Sequence, residues 1–106
     1  LYAPDQDYGH KRSIEVDFFN KPAATISAPY KLINSSGCKA FFLNSYVNDH
    51  LLTLDIEEVF FDDDNEVKFT QSLNNYIEEK IRDFPHEYLW QHRRFKSTLG
   101  KTDLYK

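Results

Sequence analysis

Three clusters in the sequence hold side chains capable of chemistry. The first is YAPDQDYG at residues 2–9, where Asp5 and Asp7 stand two apart. In an extended segment that spacing aims both carboxylates the same way. The pair could then orient a substrate hydroxyl, hold a cation or position a histidine supplied from elsewhere; a solvated turn built from Pro, Asp and Gly is the competing reading. The second cluster is His10 and Glu15, residue types suited to a general base and the acid that orients it. An extended path between them covers about 16 Å and an odd separation sends the side chains to opposite faces. A base and its orienting acid need to lie within about 3 Å of each other, so the dyad is expected to be a coincidence unless residues 10–13 fold back. The third cluster is FPHEYLWQHRRFK at residues 84–96. If residues 86–95 are helical, Tyr88, His92 and Phe95 share one face, while Trp90, Arg93 and Arg94 share another. An indole beside two guanidiniums can seat a phosphate, a phosphosugar or the headgroups of an anionic membrane. Equally, the aromatics could pin this segment to the core while the arginines pair with surplus carboxylates.

Other chemistries find little to work with. The four histidines, at 10, 50, 86 and 92, have no metal-ligand spacing among themselves or with Cys38, so no metal is expected. DDDNEVKF fails as a calcium loop: counted from Asp62, it has Val67 where the central glycine belongs and Leu73 where the bidentate glutamate is needed. There is no Gly-rich phosphate loop and no G-x-S-x-G elbow, and no cofactor is expected. Cys38 is the single cysteine, which excludes a disulfide framework and reads as a small buried side chain.

The elements that must position these clusters come from a chain of 106 residues with 41% hydrophobic and 16% aromatic content, enough for one compact core. The net charge of −4 is unevenly spread: residues 1–89 carry −8 and residues 90–106 carry +4. An anion-binding surface is therefore expected at the C-terminal end, and nucleic acid is not expected as a partner, because the basic patch is short and the remainder acidic. No apolar run is long enough to span a bilayer and no signal-peptide pattern opens the chain. The opening LYAP reads as the last residues of a strand, and the chain as a fragment of something longer.

SIEVDFF alternates, with Ile14, Val16 and Phe18 on one side, and predicts a strand burying one face. A turn follows in which Asn20 can take positive φ, then a helix from about Pro22 to Gly37, bent or interrupted at Pro29. KAFFLNSYV and HLLTLDIEEVFF, joined by NDH, predict an antiparallel hairpin. Phe69, Leu73, Tyr76, Ile77, Ile81 and Phe84 fall at helical spacing behind acids at 62–66, and Pro85 stops that helix. HEYLWQHRRF predicts a second, short helix, and residues 97–106 a loosely held tail beyond a folded core of 1–96. The fold class expected is α/β, α+β-like in this chain: a mixed sheet of about four strands covered by two longer helices and a short C-terminal one.

Three blocks together resemble the C-terminal part of the lipid A biosynthesis late acyltransferases, the lauroyl and myristoyl transferases of Gram-negative bacteria. YAPDQDYG at 2–9 is similar to that family's Asp-x-Asp-Tyr-Gly block, VDFFNKPAAT at 16–25 to its FFG turn and small-residue stretch, and PHEYLWQHRRFK at 85–96 to its closing PEQYLWxHRRFK. The resemblance covers nearly the whole chain and implies part of a glycerolipid-acyltransferase-like fold. It implies a parent enzyme anchored at the cytoplasmic side of the inner membrane, with acyl carrier protein or acyl-coenzyme A as donor and a hydroxyl of a Kdo-bearing lipid A precursor as acceptor. The family's catalytic H-x-x-x-x-(D/E) motif lies upstream of the Asp-x-Asp block, so its equivalent is expected to be missing here, with His10 and Glu15 no substitute and the isolated chain inactive. His10 itself stands where the family usually has a proline.

Carried over residue by residue, Asp5 and Asp7 would border the active-site cleft, while Trp90, Arg93 and Arg94 would steer the phosphorylated sugar lipid or brace the cleft. Asn20 replaces the glycine of FFG, His86 and Glu87 replace a Glu-Gln pair, Phe42 stands about where a proline is usual, and Tyr46 about where an arginine is usual. The alternative to an acyltransferase region is a non-catalytic module that holds anionic lipid or phosphorylated glycan through Trp90, Arg93 and Arg94.

Overall fold

A computed structural model describes residues 2–59 and 65–99. In chain order the elements are β1 (Ser13–Phe18), β2 (Lys21–Ile26), α1 (Ala28–Ser36), β3 (Ala40–Asn48), β4 (Leu51–Val59), α2 (Glu66–Asp83) and a 3-10 turn at Pro85–Glu87. The α/β content is as the sequence predicts. Among the described residues, however, the four strands form two separate antiparallel hairpins, β1–β2 and β3–β4, in place of one mixed sheet.

The first hairpin turns at Phe19 and Asn20, with φ of 50° and 60°. Asparagine tolerates this left-handed region; phenylalanine does not without support. Phe19 has that support: its ring packs edge-on against Phe18 with centroids 4.8 Å apart, lies 5.1 Å from the Arg82 guanidinium, and its N–H donates to Glu78 Oε1 at 2.6 Å. The chain then continues as β2 where a helix from Pro22 was expected. Proline does not prevent this, because Asp17↔Pro22 is adjacent to the turn-closing pair Phe18↔Lys21 and is not a hydrogen-bonded pair. The missing N–H of Pro22 thus falls on the outer edge. Helix α1 begins only at Ala28, so Pro29 sits in its first turn, where no intrahelical N–H is required, and not in its interior. Gly37 ends α1 at φ 64°, its N–H returning to Ile33 O at 2.9 Å, as its position predicts.

The second hairpin closes on Asp49 and His50, both at positive φ. Helix α2 is capped by Asn65, whose side chain accepts from the N–H groups of Val67 and Lys68. Phe69, Leu73 and Ile81 form its buried stripe, with Ile81 clustered on Phe18 and Ala23 and Phe69 edge-on to Tyr30 of α1 at 5.5 Å. The acids at 62–64, expected at its start, lie outside the described residues.

Beyond Pro85 the expected helix over 86–95 does not form: one 3-10 turn gives way to successive turns. Long-range contacts override the local pattern here. Tyr88 and Phe95 turn onto Phe18, and Trp90 Nε1 donates to Pro85 O at 2.6 Å. Residues 2–3 carry no strand, contrary to the reading of LYAP.

Candidate functional site

Asp7 is 2% exposed. Its Oδ1 accepts from Gly9 N at 2.8 Å and Ser97 Oγ at 2.7 Å, and its Oδ2 from Ser97 N at 2.9 Å. The Asp7 N–H donates to His92 Nε2 at 2.8 Å, which makes that ring nitrogen an acceptor here. Burial pushes the Asp7 carboxyl up, but the bonds from Ser97 and Gly9, with Lys96 nearby, outweigh it and hold the group below the usual aspartate range. Such a carboxylate is a weak proton acceptor. It ties the N-terminal loop to the C-terminal turns across 90 positions.

Asp5 has a different setting. Residues 4–6 turn rather than run extended, so the structure does not present Asp5 and Asp7 to one cleft. Half-buried Asp5 lines an open groove of about 840 Å³ that runs along β3. Leu32, Phe42, Tyr76, Ile77 and Tyr88 are among its other walls. The Asp5 carbonyl accepts a long hydrogen bond, 3.5 Å, from the Tyr88 hydroxyl.

Residues 10–13 do fold back, with Ser13 N donating to His10 O at 3.3 Å and Arg12 at φ 69°. Even so, His10 and Glu15 are both exposed, and neither a hydrogen bond nor an ion pair joins them among the described residues.

Trp90, Arg93 and Arg94 do not share a face. Arg94 is 3% exposed: Nη1 donates to Ala24 O at 2.8 Å, Nη2 to Thr25 Oγ1 at 2.7 Å, and the guanidinium lies 5.2 Å from the Phe18 ring centroid. Thr25 in turn accepts from Asn74 Nδ2 at 3.0 Å, and the same amide donates to Asp17 O at 3.1 Å. Arg94 therefore closes a buried polar cluster that joins β2, α2 and the C-terminal turns. Arg93 is exposed, and Trp90 is 60% exposed with its ring edge-on to Tyr88. Of the three, only Trp90 and Arg93 face outward.

Several organising residues escaped the sequence reading. Ser97 and His92 are read only through Asp7, from the far end of the chain. Ser97 and Thr98 fall in the stretch expected to be loose, yet Thr98 Oγ1 donates to Pro22 O at 2.5 Å; residues 100–106 lie outside the described part. Tyr76 is a further anchor: its hydroxyl donates to Glu57, accepts from Asn44 Nδ2 at 3.0 Å, and its ring stacks on Phe42 at 3.8 Å. Burial, followed by the Glu57 carboxylate, pushes the Tyr76 hydroxyl well above the ordinary tyrosine range. Glu57 is held below its usual range, chiefly by the Tyr76 bond, with Lys80 adding to it.

Cys38 is exposed, not buried as expected. Among the described residues no group of three His, Cys, Asp or Glu side chains could hold a metal ion, and no helix is long and apolar enough to cross a membrane.

The sequence model of the bacterial lipid A biosynthesis acyltransferases matches residues 1–97. The lipid A biosynthesis palmitoleoyltransferase of Escherichia coli (strain K12) is 34% identical over 98% of this chain and 36% of its own length. The lauroyltransferase of the same strain is 35% identical over 91% of this chain and 33% of its own length. A lipid A biosynthesis acyltransferase of Haemophilus influenzae is 31% identical over 91% of this chain and 33% of its own length. The chain thus spans about a third of the length of these relatives. The resemblance of the Asp-x-Asp, FFN and YLWQHRRFK blocks extends over the intervening elements as well, and the chain belongs to the bacterial lipid A biosynthesis acyltransferase family.

Proposed function

We propose that these residues are the C-terminal region of an enzyme that moves a fatty acyl chain from an acyl thioester, on acyl carrier protein or coenzyme A, to a hydroxyl of a Kdo-bearing lipid A precursor at the inner membrane. The match to the acyltransferase family over residues 1–97 carries this reading. The reaction needs a base to take the acceptor's proton as its oxygen attacks the thioester carbonyl, and donors for the oxyanion that forms. Asp7 is spent on Ser97 and Gly9, and His92 on the Asp7 amide. His10 and Glu15 stand apart and exposed. The catalytic histidine and acid are therefore assigned to a part of the protein outside these residues.

The chain's own contribution is a braced wall. The Asp7 knot fixes the loop that carries Asp5 at the groove, and the Arg94 cluster fixes the turns that carry Trp90 and Arg93. Trp90 and Arg93 are the exposed members of that set, and phosphates of the sugar lipid would meet the protein at this surface. The test is acyl transfer from a defined thioester to a Kdo-lipid A precursor. The full-length expressed protein is expected to be active and indifferent to His10→Ala, and the 106-residue chain inert. Activity of the short chain that His10→Ala abolishes would overturn the assignment.

A further inference from the structure

A cationic face lies at the N-terminal end of α1. The chain holds 17 Asp and Glu, yet residues 8–14 and 18–48 contain none while carrying Lys11, Arg12, Lys21, Lys31 and Lys39. Three of these cations are gathered around one buried serine. Ser27, 3% exposed, donates to Arg12 O from its N–H at 3.2 Å and from its hydroxyl at 3.3 Å. Lys31 N–H in turn donates to Ser27 O at 3.4 Å, which sets Lys31 one helical turn from the Arg12 anchor. Lys11 and Arg12 occupy the two central positions of a tight turn closed by Ser13 N–H on His10 O at 3.3 Å. Arg12 stands there at φ 69°, a conformation for which glycine or asparagine is the usual residue. Lys11, Arg12 and Lys31 are all exposed, and among the described residues none of them is in an ion pair, whereas Lys39, Lys80 and Arg82 each hold a carboxylate. Of the acids nearest along the chain, Asp7 is buried and bonded, Asp5 lines the groove, and Glu15 is exposed on β1.

We infer that Lys11, Arg12 and Lys31 form a docking surface for an acidic protein, the carrier on which the acyl thioester is delivered. The inference rests on the reading of this chain as part of a thioester-dependent acyltransferase, and it gives the donor a surface of its own, apart from the one assigned to the sugar lipid. A phosphate is held by donors that converge on it. These three cations instead stand on two different elements, each open to solvent, which suits carboxylates spaced along the surface of a partner protein. Tyr8, 51% exposed, and Leu32, 44% exposed, adjoin them along the chain and add apolar contact beside the charges. An anionic bilayer is better matched by Trp90 and Arg93 in the C-terminal turns, where tryptophan and a cation are neighbours. The acidity of the remaining chain repels an acidic partner elsewhere and steers it to this end.

The experiment measures binding of holo-acyl carrier protein, an acidic protein, to the full-length expressed protein over a range of salt, by fluorescence anisotropy of the labelled carrier. Lys11→Glu and Lys31→Glu are each expected to raise Kd on the order of 10-fold and to flatten its salt dependence. Lys68→Glu, the same change in charge at an exposed site on α2, is expected to leave Kd unchanged. Arg12→Gly guards against misfolding, because it removes the cation and relieves the positive φ: weaker binding with an undiminished Tm is expected. Absence of binding by the wild type overturns the proposal, as do unaltered binding in the patch variants and equal weakening by Lys68→Glu, the mark of net charge alone. Two further outcomes overturn it by naming another occupant. One is a matching rise in KM for acyl-coenzyme A, the mark of a phosphate site; the other is loss of binding to anionic vesicles with carrier binding intact. Acyl transfer from both thioesters is assayed in parallel. Patch-dependent carrier binding without transfer from either donor sinks the functional reading alone, and transfer from the carrier that Lys11→Glu and Lys31→Glu leave intact sinks the docking surface alone.

Discussion

Asp7 and Arg94 show how one residue type can serve structure where its sequence context points to ligand binding. Asp7→Ala leaves Ser97 N, Ser97 Oγ and Gly9 N without their acceptor in a buried place and is expected to cost about 2–3 kcal/mol by chemical denaturation. Because the folded carboxyl titrates below its unfolded value, its contribution is fully present above the unfolded pKa of 3.8 and is lost as pH falls through the folded value. Acid unfolding followed by circular dichroism should therefore begin at higher pH for the wild type than its neutral-pH stability alone implies, and Asp7→Asn should flatten that part of the curve. Arg94→Ala removes the donors to Ala24 O and Thr25 Oγ1 and is expected to cost about 3 kcal/mol. Arg94→Lys should rescue little, since an ammonium cannot reproduce the planar fork. Arg93→Ala is expected to do the reverse: a smaller shift in Tm, but a lower kcat/KM of the full-length enzyme for the phosphorylated acceptor.

At the scale of elements, the turn at Phe19–Asn20 and the hairpin's attachment to α2 are the sensitive joints. Asn20 occupies a left-handed conformation at φ 60°, where the family resemblance has glycine. Asn20→Ala should cost about 1 kcal/mol, and Asn20→Gly should be neutral or stabilising, read as shifts in Tm. The β3–β4 hairpin is held to α2 by the Tyr76–Glu57 and Tyr76–Asn44 bonds and by two ring stacks, Phe42 on Tyr76 and Tyr46 on Phe84. Tyr76→Phe keeps the stack and removes both bonds. Faster amide exchange confined to β3 and β4 is the expected result, with β1 and β2 unaffected. Glu57 adds an acid limb to this joint: its folded pKa is depressed by the Tyr76 bond, so the attachment is complete above the unfolded value of 4.5 and weakens as pH falls through the folded one. In Tyr76→Phe that acid dependence should largely disappear.

Across the whole molecule, the division between what sequence decides and what tertiary structure decides follows the range of the interactions involved. The β1 alternation, the β3–β4 hairpin, the left-handed cap at Gly37 and the stripe of α2 were legible because each depends on neighbours within a few positions: side-chain periodicity, a turn's φ, a proline's missing N–H. The family was legible for a related reason, since three short blocks keep their residues and their order. Residues 21–26 were not: their small side chains suit either state, and pairing with β1 decides for strand. The segment from His86 to Phe95 has helical spacing, yet Phe18, 70 positions from Tyr88, draws Tyr88 and Phe95 to its ring and breaks that pattern. The site divides in the same way. Sequence alone identified Asp5, Asp7, Trp90, Arg93 and Arg94 as polar or aromatic residues worth attention. Only the fold decided that Asp7 and Arg94 turn inward as braces while Asp5 lines the groove and Trp90 and Arg93 lie exposed, because a buried charge persists only where distant backbone and hydroxyl groups converge to bond it.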